Sequence, residues 1–129
     1  MIDFIKEYNL PMDSIDFIIP LPLHSRRLRE REFNQAGILS DYIATEFRKE
    51  IVNDNLRRSR YTGTQTELEE EERLLNVRNS FVLDRSDEVE GKNILLVDDV
   101  LTTGATCSEA ASVLKEAQAK AVFVLTLAN

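Results

Sequence analysis

The chain has one cysteine, Cys107, and one histidine, His24, among its 129 residues. A lone thiol can form neither an internal disulfide nor a multi-cysteine metal site, and such poverty suits a reducing compartment. Ser-His-Asp and Cys-His catalysis find no supporting pattern. Positive charge is in deficit, with 16 Lys and Arg against 23 Asp and Glu for a net charge of −7. That balance argues against a general nucleic-acid or membrane-surface binder, which needs a dominant basic surface. Long apolar runs are also missing, so no segment spans a bilayer. The opening "MIDFIKEYNL" carries two acids where a signal peptide wants positive charge. The expectation is a cytoplasmic protein with no membrane partner.

What charge there is lies unevenly. Arg26, Arg27, Arg29 and Arg31 form one basic cluster, and Arg57, Arg58, Arg60, Arg73 and Arg78 form another. Such clustering points to a focused anion site. The length fits a single domain, 1–129, with a small but real core. Short, nearly continuous apolar runs at 16–20, 93–98 and 121–127 read as strands covered on both faces of a parallel sheet. Between them, 33–50 reads as an amphipathic helix carrying Phe33, Ala36, Ile38, Leu39, Ile43 and Phe47 at helical spacing. A second helix is predicted from a capping box at Thr66 to Glu69 through about Val77. A third runs from about Gly104 to Gln118 and buries Ala110, Val113, Leu114 and Ala117, while "VEGKN" (89–93) forms the turn into the central strand. The alternation predicts an α/β fold, doubly wound around a mostly parallel sheet, with its ligand outside the carboxyl ends of the strands.

The stretch "ILLVDDVLTTGAT" (94–106) combines an anion receptor with a carboxylate pair. If "ILLV" is a central strand, Asp98 and Asp99 lie at its carboxyl end and point to opposite faces, so they need not collide. The following Thr-Thr-Gly-Ala-Thr offers backbone amides, small hydroxyls and a glycine at a helix start, an arrangement suited to phosphate. One molecule satisfying both would carry a phosphate near vicinal hydroxyls or a divalent cation, as a ribose 5-phosphate does. A helix-capping aspartate is the bland alternative. A second alternative, the acidic pocket of phosphoacceptor receiver domains, places its acids on the first strand, whereas these lie near the end of the chain.

Residues 94–106 resemble the phosphoribosyl-pyrophosphate (PRPP) binding motif of type I phosphoribosyltransferases at every position. "PLPLHSRRLREREFNQA" (20–36) and "LRRSRYTGTQTELEEEERLLNVRNSF" (56–81) are similar to two further segments of ComF-type competence proteins. Glu32 replaces the glycine usual before Phe33-Asn34-Gln35. The amino-terminal cysteine zinc module that family members commonly carry is missing, as is additional sequence before the first strand.

The resemblance implies a type I phosphoribosyltransferase-like fold and a set of roles. Thr102, Thr103, Gly104, Ala105 and Thr106 would take the 5-phosphate, and Asp98 and Asp99 would contact the ribose hydroxyls. Mg²⁺ would bridge ribose and pyrophosphate, held by the two aspartates indirectly through the substrate. Leu21, Pro22, Leu23 and His24 would face the pyrophosphate, with Pro20 and Pro22 stiffening the turn. His24 reads equally as an exposed loop residue or cap. Arg26, Arg27 and Arg31 are either solvated or reach the leaving group, with Arg27 the candidate. Residues 57–79 resemble the catalytic loop that closes over substrate, with Arg73, Asn76 and Arg78 as candidates against a solvated helix held by i, i+4 pairs. Asn34 and Gln35 are ligands or caps, and Phe33 and Phe81 belong to the core. Cys107 reads as small packing, although a helix amino terminus would lower its pKa.

Two functions follow from the resemblance. In one, ribose 5-phosphate moves from PRPP to a nitrogen base or amine. In the other, the pocket serves a non-catalytic nucleotide-sugar-binding module working with the DNA-uptake machinery. A homodimer is an analogy with similar enzymes.

Overall fold

A computed structural model describes residues 6–7, 11–22, 35–58, 81–100 and 105–128, with backbone alone at 99–100 and 127–128. The helix predicted at 66–77 lies outside these residues, as does Phe33. Six strands and two helices are described. They are β1 (Phe17–Pro20), α1 (Gln35–Phe47), β2 (Glu50–Ile51), β3 (Leu56–Arg58), β4 (Phe81–Leu83), β5 (Asn93–Val100), α2 (Ala105–Glu116) and β6 (Ala121–Ala128). Strands β2, β1, β5 and β6 form a sheet in that order, parallel throughout, and β3 and β4 pair antiparallel as a separate ribbon.

The sheet's two faces follow from strand alternation. Phe17, Ile19, Leu21, Ile94 and Leu96 pack on one side with Cys107, Ala110 and Leu114 of α2. Ile18, Leu95 and Val97 pack on the other with Ile43 and Ala44 of α1, joined by Met12 and Ile15. All four residues of β1 are buried, as expected of a parallel strand covered on both faces. The ribbon joins the α2 side, contributing Leu56 and Phe81 to that core.

The observed elements depart from the sequence reading in four places. The helix expected to reach residue 50 stops at Phe47, where Arg48 adopts a left-handed φ of 56° and the Lys49 amide donates to the Ala44 carbonyl at 2.9 Å. Glu50 and Ile51 then pair with Phe17 and Ile18 as β2. Helix α2 ends in the same way, with Gln118 at φ 71° and the Ala119 amide bonded to the Leu114 carbonyl at 3.1 Å. A 6→1 bond with a left-handed residue closes a helix whatever its side-chain pattern, and it favours glycine without requiring it. Thirdly, Ile38 is 44% exposed, so the apolar stripe of α1 is narrower than its spacing implies, and Tyr42 beside it is 67% exposed. Lastly, β5 extends to Val100, past the apolar run at 93–98, so Asp99 as well as Asp98 lies within the strand.

The amino ends of β1 and β5 are clamped together. The Asn93 amide donates to Asp16 Oδ2 at 2.8 Å, and its side-chain nitrogen donates to the Ser14 carbonyl at 2.9 Å. At the ribbon's base the wholly buried Asn55 donates to the Arg85 carbonyl at 2.9 Å and accepts from the Arg85 amide at 2.7 Å. Ser40 is also wholly buried, yet its hydroxyl has no partner among the described residues.

Leu96→Ala leaves a cavity at the sheet centre and lowers unfolding free energy by about 2–5 kcal/mol. Ser40→Ala removes an unbonded hydroxyl and shifts it by less than about 0.5 kcal/mol, or raises it. Denaturant unfolding of both variants tests the pair, and a Ser40→Ala loss approaching that of Leu96→Ala would show the hydroxyl to be bonded.

Candidate functional site

The chain leaves β1 toward β2 through α1 on one face and leaves β5 toward β6 through α2 on the other. Strands β1 and β5 therefore flank the topological switch point, and in sheets of this class the ligand crevice lies outside the carboxyl ends of such strands. One bond defines its floor. The Leu21 amide donates to the Val97 carbonyl at 2.8 Å, fastening the turn after β1 to the residue before Asp98. Leu21 is 5% exposed, its side chain in the core. Leu21 thus holds the turn, its amide spent within the fold, and Pro22 follows it half-buried at the rim.

Asp98 shares the face of Ile94 and Leu96, which is the α2 side. Its half-buried carboxylate accepts a hydrogen bond from the Cys107 thiol, with Sγ 3.7 Å from Oδ2. Ladder pairing continues beneath it, with Asp98 opposite Thr126. Ala105 opens α2 and is exposed, Thr106 is half-buried, and Cys107 is buried at 4%. The carboxylate of Asp98 and the first turn of α2 are thereby brought together, as the motif requires.

The thiol's surroundings decide its ionisation. Burial pushes Cys107 up first, then the negative charge of Asp98 and the hydrogen bond to it, while Arg58 opposes them, so its pKa rises from 9.0 to about 11. The helix amino terminus does not prevail. The sequence reading of Cys107 as packing agrees with this environment, but its pKa moves opposite to a helix-start cysteine's. A raised thiol pKa stabilises the fold fully below the unfolded value, and that stabilisation is lost as pH climbs toward 11.

Arg58 has an environment that spacing alone could not single out among the five arginines of its cluster. It lies opposite Phe81 in the β3–β4 ladder, with its guanidinium carbon 4.8 Å from the ring centroid. Its Nε donates to the Pro22 carbonyl at 3.2 Å, joining the ribbon to the turn after β1. Its neighbour Arg57 points outward and pairs with Asp84 at 2.9 Å, both groups exposed. Alternation along β3 separates the two arginines, which becomes visible only once the strand is known. Leu23, His24, Arg27, Arg73, Arg78, Thr102, Thr103 and Gly104 lie outside the described residues, as does the side chain of Asp99.

Comparison with known proteins gives this crevice a context. The phosphoribosyl transferase domain family matches residues 33–129, and the chain belongs to that family. Competence protein F of Haemophilus influenzae is 35% identical over 113 residues, which are 87% of this chain and 49% of that protein. DNA utilization protein YhgH of Escherichia coli K12 is 36% identical over 112 residues, 87% of this chain and 48% of that protein. Competence protein ComFC of Bacillus subtilis is 33% identical over 112 residues, 85% of this chain and 43% of that protein. The chain spans about half the length of these relatives. Among solved structures, glutamine PRPP amidotransferase from B. subtilis, complexed with ADP and GMP, superposes with a TM-score of 0.57 at 21% identity. That match covers 86% of this chain and 22% of the amidotransferase. A hypoxanthine phosphoribosyltransferase from Staphylococcus aureus gives 0.55 at 18% identity, covering 92% of this chain and 56% of the enzyme. The fold is that of the type I phosphoribosyltransferases.

Asp98→Asn removes the negative charge beside the Cys107 thiol and leaves only a neutral amide oxygen as acceptor, so the thiol titrates at lower pH, short of full relaxation because burial persists. Cys107 is the only cysteine, so a single isotope-labelled Cβ resonance followed by NMR through a pH series reads the change. An unmoved midpoint would show that the carboxylate does not face the thiol.

Proposed function

We propose that the chain is a single phosphoribosyltransferase-like unit that binds PRPP at the crevice between β1 and β5. The observation that carries this reading is the placement of Asp98 at the carboxyl end of β5, beside the start of α2 and across from the turn tied down by Leu21. A carboxylate there accepts hydrogen bonds from ribose hydroxyls. The amides and hydroxyls of 102–106 receive the 5-phosphate at the helix amino terminus. Pro22, Leu23 and His24, with Arg27, Arg73 and Arg78, serve the diphosphate end, and Asp99 joins Asp98 at the sugar.

The donor set fits Mg²⁺ held through its ligand. Asp98 and Asp99 would hold it indirectly, through the sugar, and carboxylates and hydroxyls are the hard oxygen donors that such a cation prefers. When bound, the cation neutralises charge on the leaving diphosphate. As the C1–O bond to diphosphate breaks, C1 becomes oxocarbenium-like, and the aspartates supply the negative field that stabilises it. A C1–N bond then forms to a base or amine, whose proton passes to solvent. No protein nucleophile takes part.

The names of the relatives, concerned with competence and DNA utilization, favour a second reading in which the same pocket serves DNA uptake without turnover. No described helix is long and apolar enough to cross a membrane. We place the protein's work in the cytoplasm, with a homodimer as the oligomer to test.

PRPP with Mg²⁺ is expected to stabilise the protein against heat, by about 2.7 kcal/mol at a hundredfold excess over Kd. Asp98→Asn and Asp99→Asn should each weaken that protection at least tenfold in apparent Kd, and normal binding by both would reject the ribose assignment. Pyrophosphate release with any purine, pyrimidine or small amine supports transferase activity. Protection without release across the panel supports the binding module.

A further inference from the structure

We infer that Cys107 is a positioning residue for Asp98, a buried donor that fixes the direction in which this carboxylate meets the sugar hydroxyls. The inference rests on the PRPP reading and deepens it, because it concerns how the carboxylate is aimed and not which molecule it meets. The backbone under Asp98 is already set. Ladder pairing runs past it, from Asn93 opposite Ala121 through Asp98 opposite Thr126 to Val100 opposite Ala128, so only the side-chain torsions of Asp98 are left to be decided. The donor is held as firmly. Cys107 is 4% exposed and lies in one core with Ile94 and Leu96 of β5 and with Ala110 and Leu114 of α2. Its thiol stands 3.7 Å from Oδ2 of Asp98, so a half-buried carboxylate on the strand is tied to a buried group on the helix packed against it.

Chemistry assigns the role. An ionised carboxylate only accepts hydrogen bonds, and a thiol can donate one, so the contact favours the Asp98 rotamer that turns Oδ2 toward α2. The two oxygens of a carboxylate are rigidly related. Fixing one therefore fixes both, and the ordering is done before a ligand arrives, which lowers what binding costs. A weak donor suits this task, since it aims the carboxylate while drawing off little of its capacity to accept from sugar hydroxyls. Packing alone would be served by any small apolar side chain at this place. Asp98 makes other interactions as well, so the thiol contributes a share of the aiming and its loss has a partial effect.

The test uses the full chain and calorimetry with ribose 5-phosphate, PRPP with Mg²⁺, and inorganic phosphate. Cys107→Ala and Cys107→Val delete the donor with less and with more volume than cysteine, so a loss common to both is not a packing effect. Each should weaken ribose 5-phosphate and PRPP by about three- to tenfold, the net worth of one hydrogen bond, while inorganic phosphate stays within about twofold. Cys107→Ser keeps a donor and should bind the sugar phosphates within about twofold of wild type. Asp98→Ala deletes the group being aimed, and adding Cys107→Ala to it should cost PRPP affinity less than about twofold further. Undiminished sugar-phosphate binding by both donor-less variants would overturn the inference, as would Cys107→Ser binding no better than Cys107→Ala. So would an undiminished cost of Cys107→Ala in the Asp98→Ala background, which would make Cys107 a packing residue. A wild-type chain that binds neither ribose 5-phosphate nor PRPP would instead reject the PRPP reading itself, an outcome separable from every result above.

Discussion

The bond from the Leu21 amide to the Val97 carbonyl is the constraint on which the rest of the molecule depends. It extends the β1–β5 ladder one residue beyond β1, so the two strands stay in register up to the point where the chain turns away in opposite directions. Without it, the turn at Pro22 would lose its tie to the strand that carries Asp98. With it, the turn and the carboxylate stay together at the carboxyl ends of neighbouring strands. The cost is that Leu21 has no amide left to give. Whatever lies above the floor must be recognised by side chains and by amides further along.

The α2 face carries the polar groups that gather around Asp98. Cys107, Asp98, Arg58 and the rim at Pro22 lie on that side, with the Asn55 clasp at the ribbon's base. The opposite face, under α1, is nearly all aliphatic apart from the silent hydroxyl of Ser40. This division follows from strand parity: even-numbered positions of β5 look toward α2, odd ones within its buried core toward α1. A single residue inserted in β5 before Asp98 would exchange the faces and dismantle the site while leaving the composition of both cores almost unchanged.

Much of this was legible in the sequence, for identifiable reasons. The strands β1, β5 and β6 announce themselves as unbroken apolar runs, although β6 lies at the sheet edge with Phe123 and Val124 exposed and is not covered on both faces as the sequence reading expected, and the helices because one stripe must be apolar. The phosphate-binding motif was legible because its residues are contiguous. The short strands β2, β3 and β4 were not, since two or three residues carry no period and their pairing is decided by distant partners. The end of α1 at Arg48 was hidden because arginine is not a usual helix stop, whereas the end of α2 near Gln118 was legible. Arg58 stayed among its neighbours because its contacts arise from the ribbon's alternation and from Phe81, which is far along the chain. The direction of the Cys107 pKa was likewise unreadable, as it is set by depth of burial and by a carboxylate on another element.

The β1–β5 pairing also has a kinetic meaning. Strand β5, helix α2 and strand β6 form a local unit that can assemble from neighbouring residues, whereas Phe17 meets Ile94 only by closing a loop that takes in more than half of the chain. Long-range closure of this sort is slow, and its entropy must be overcome before any contact rewards it. The crevice therefore depends on the longest-range pairing of the described sheet. A molecule that grips both of its walls binds the finished fold and not the half-assembled one, so it would slow the reopening of the sheet's central seam.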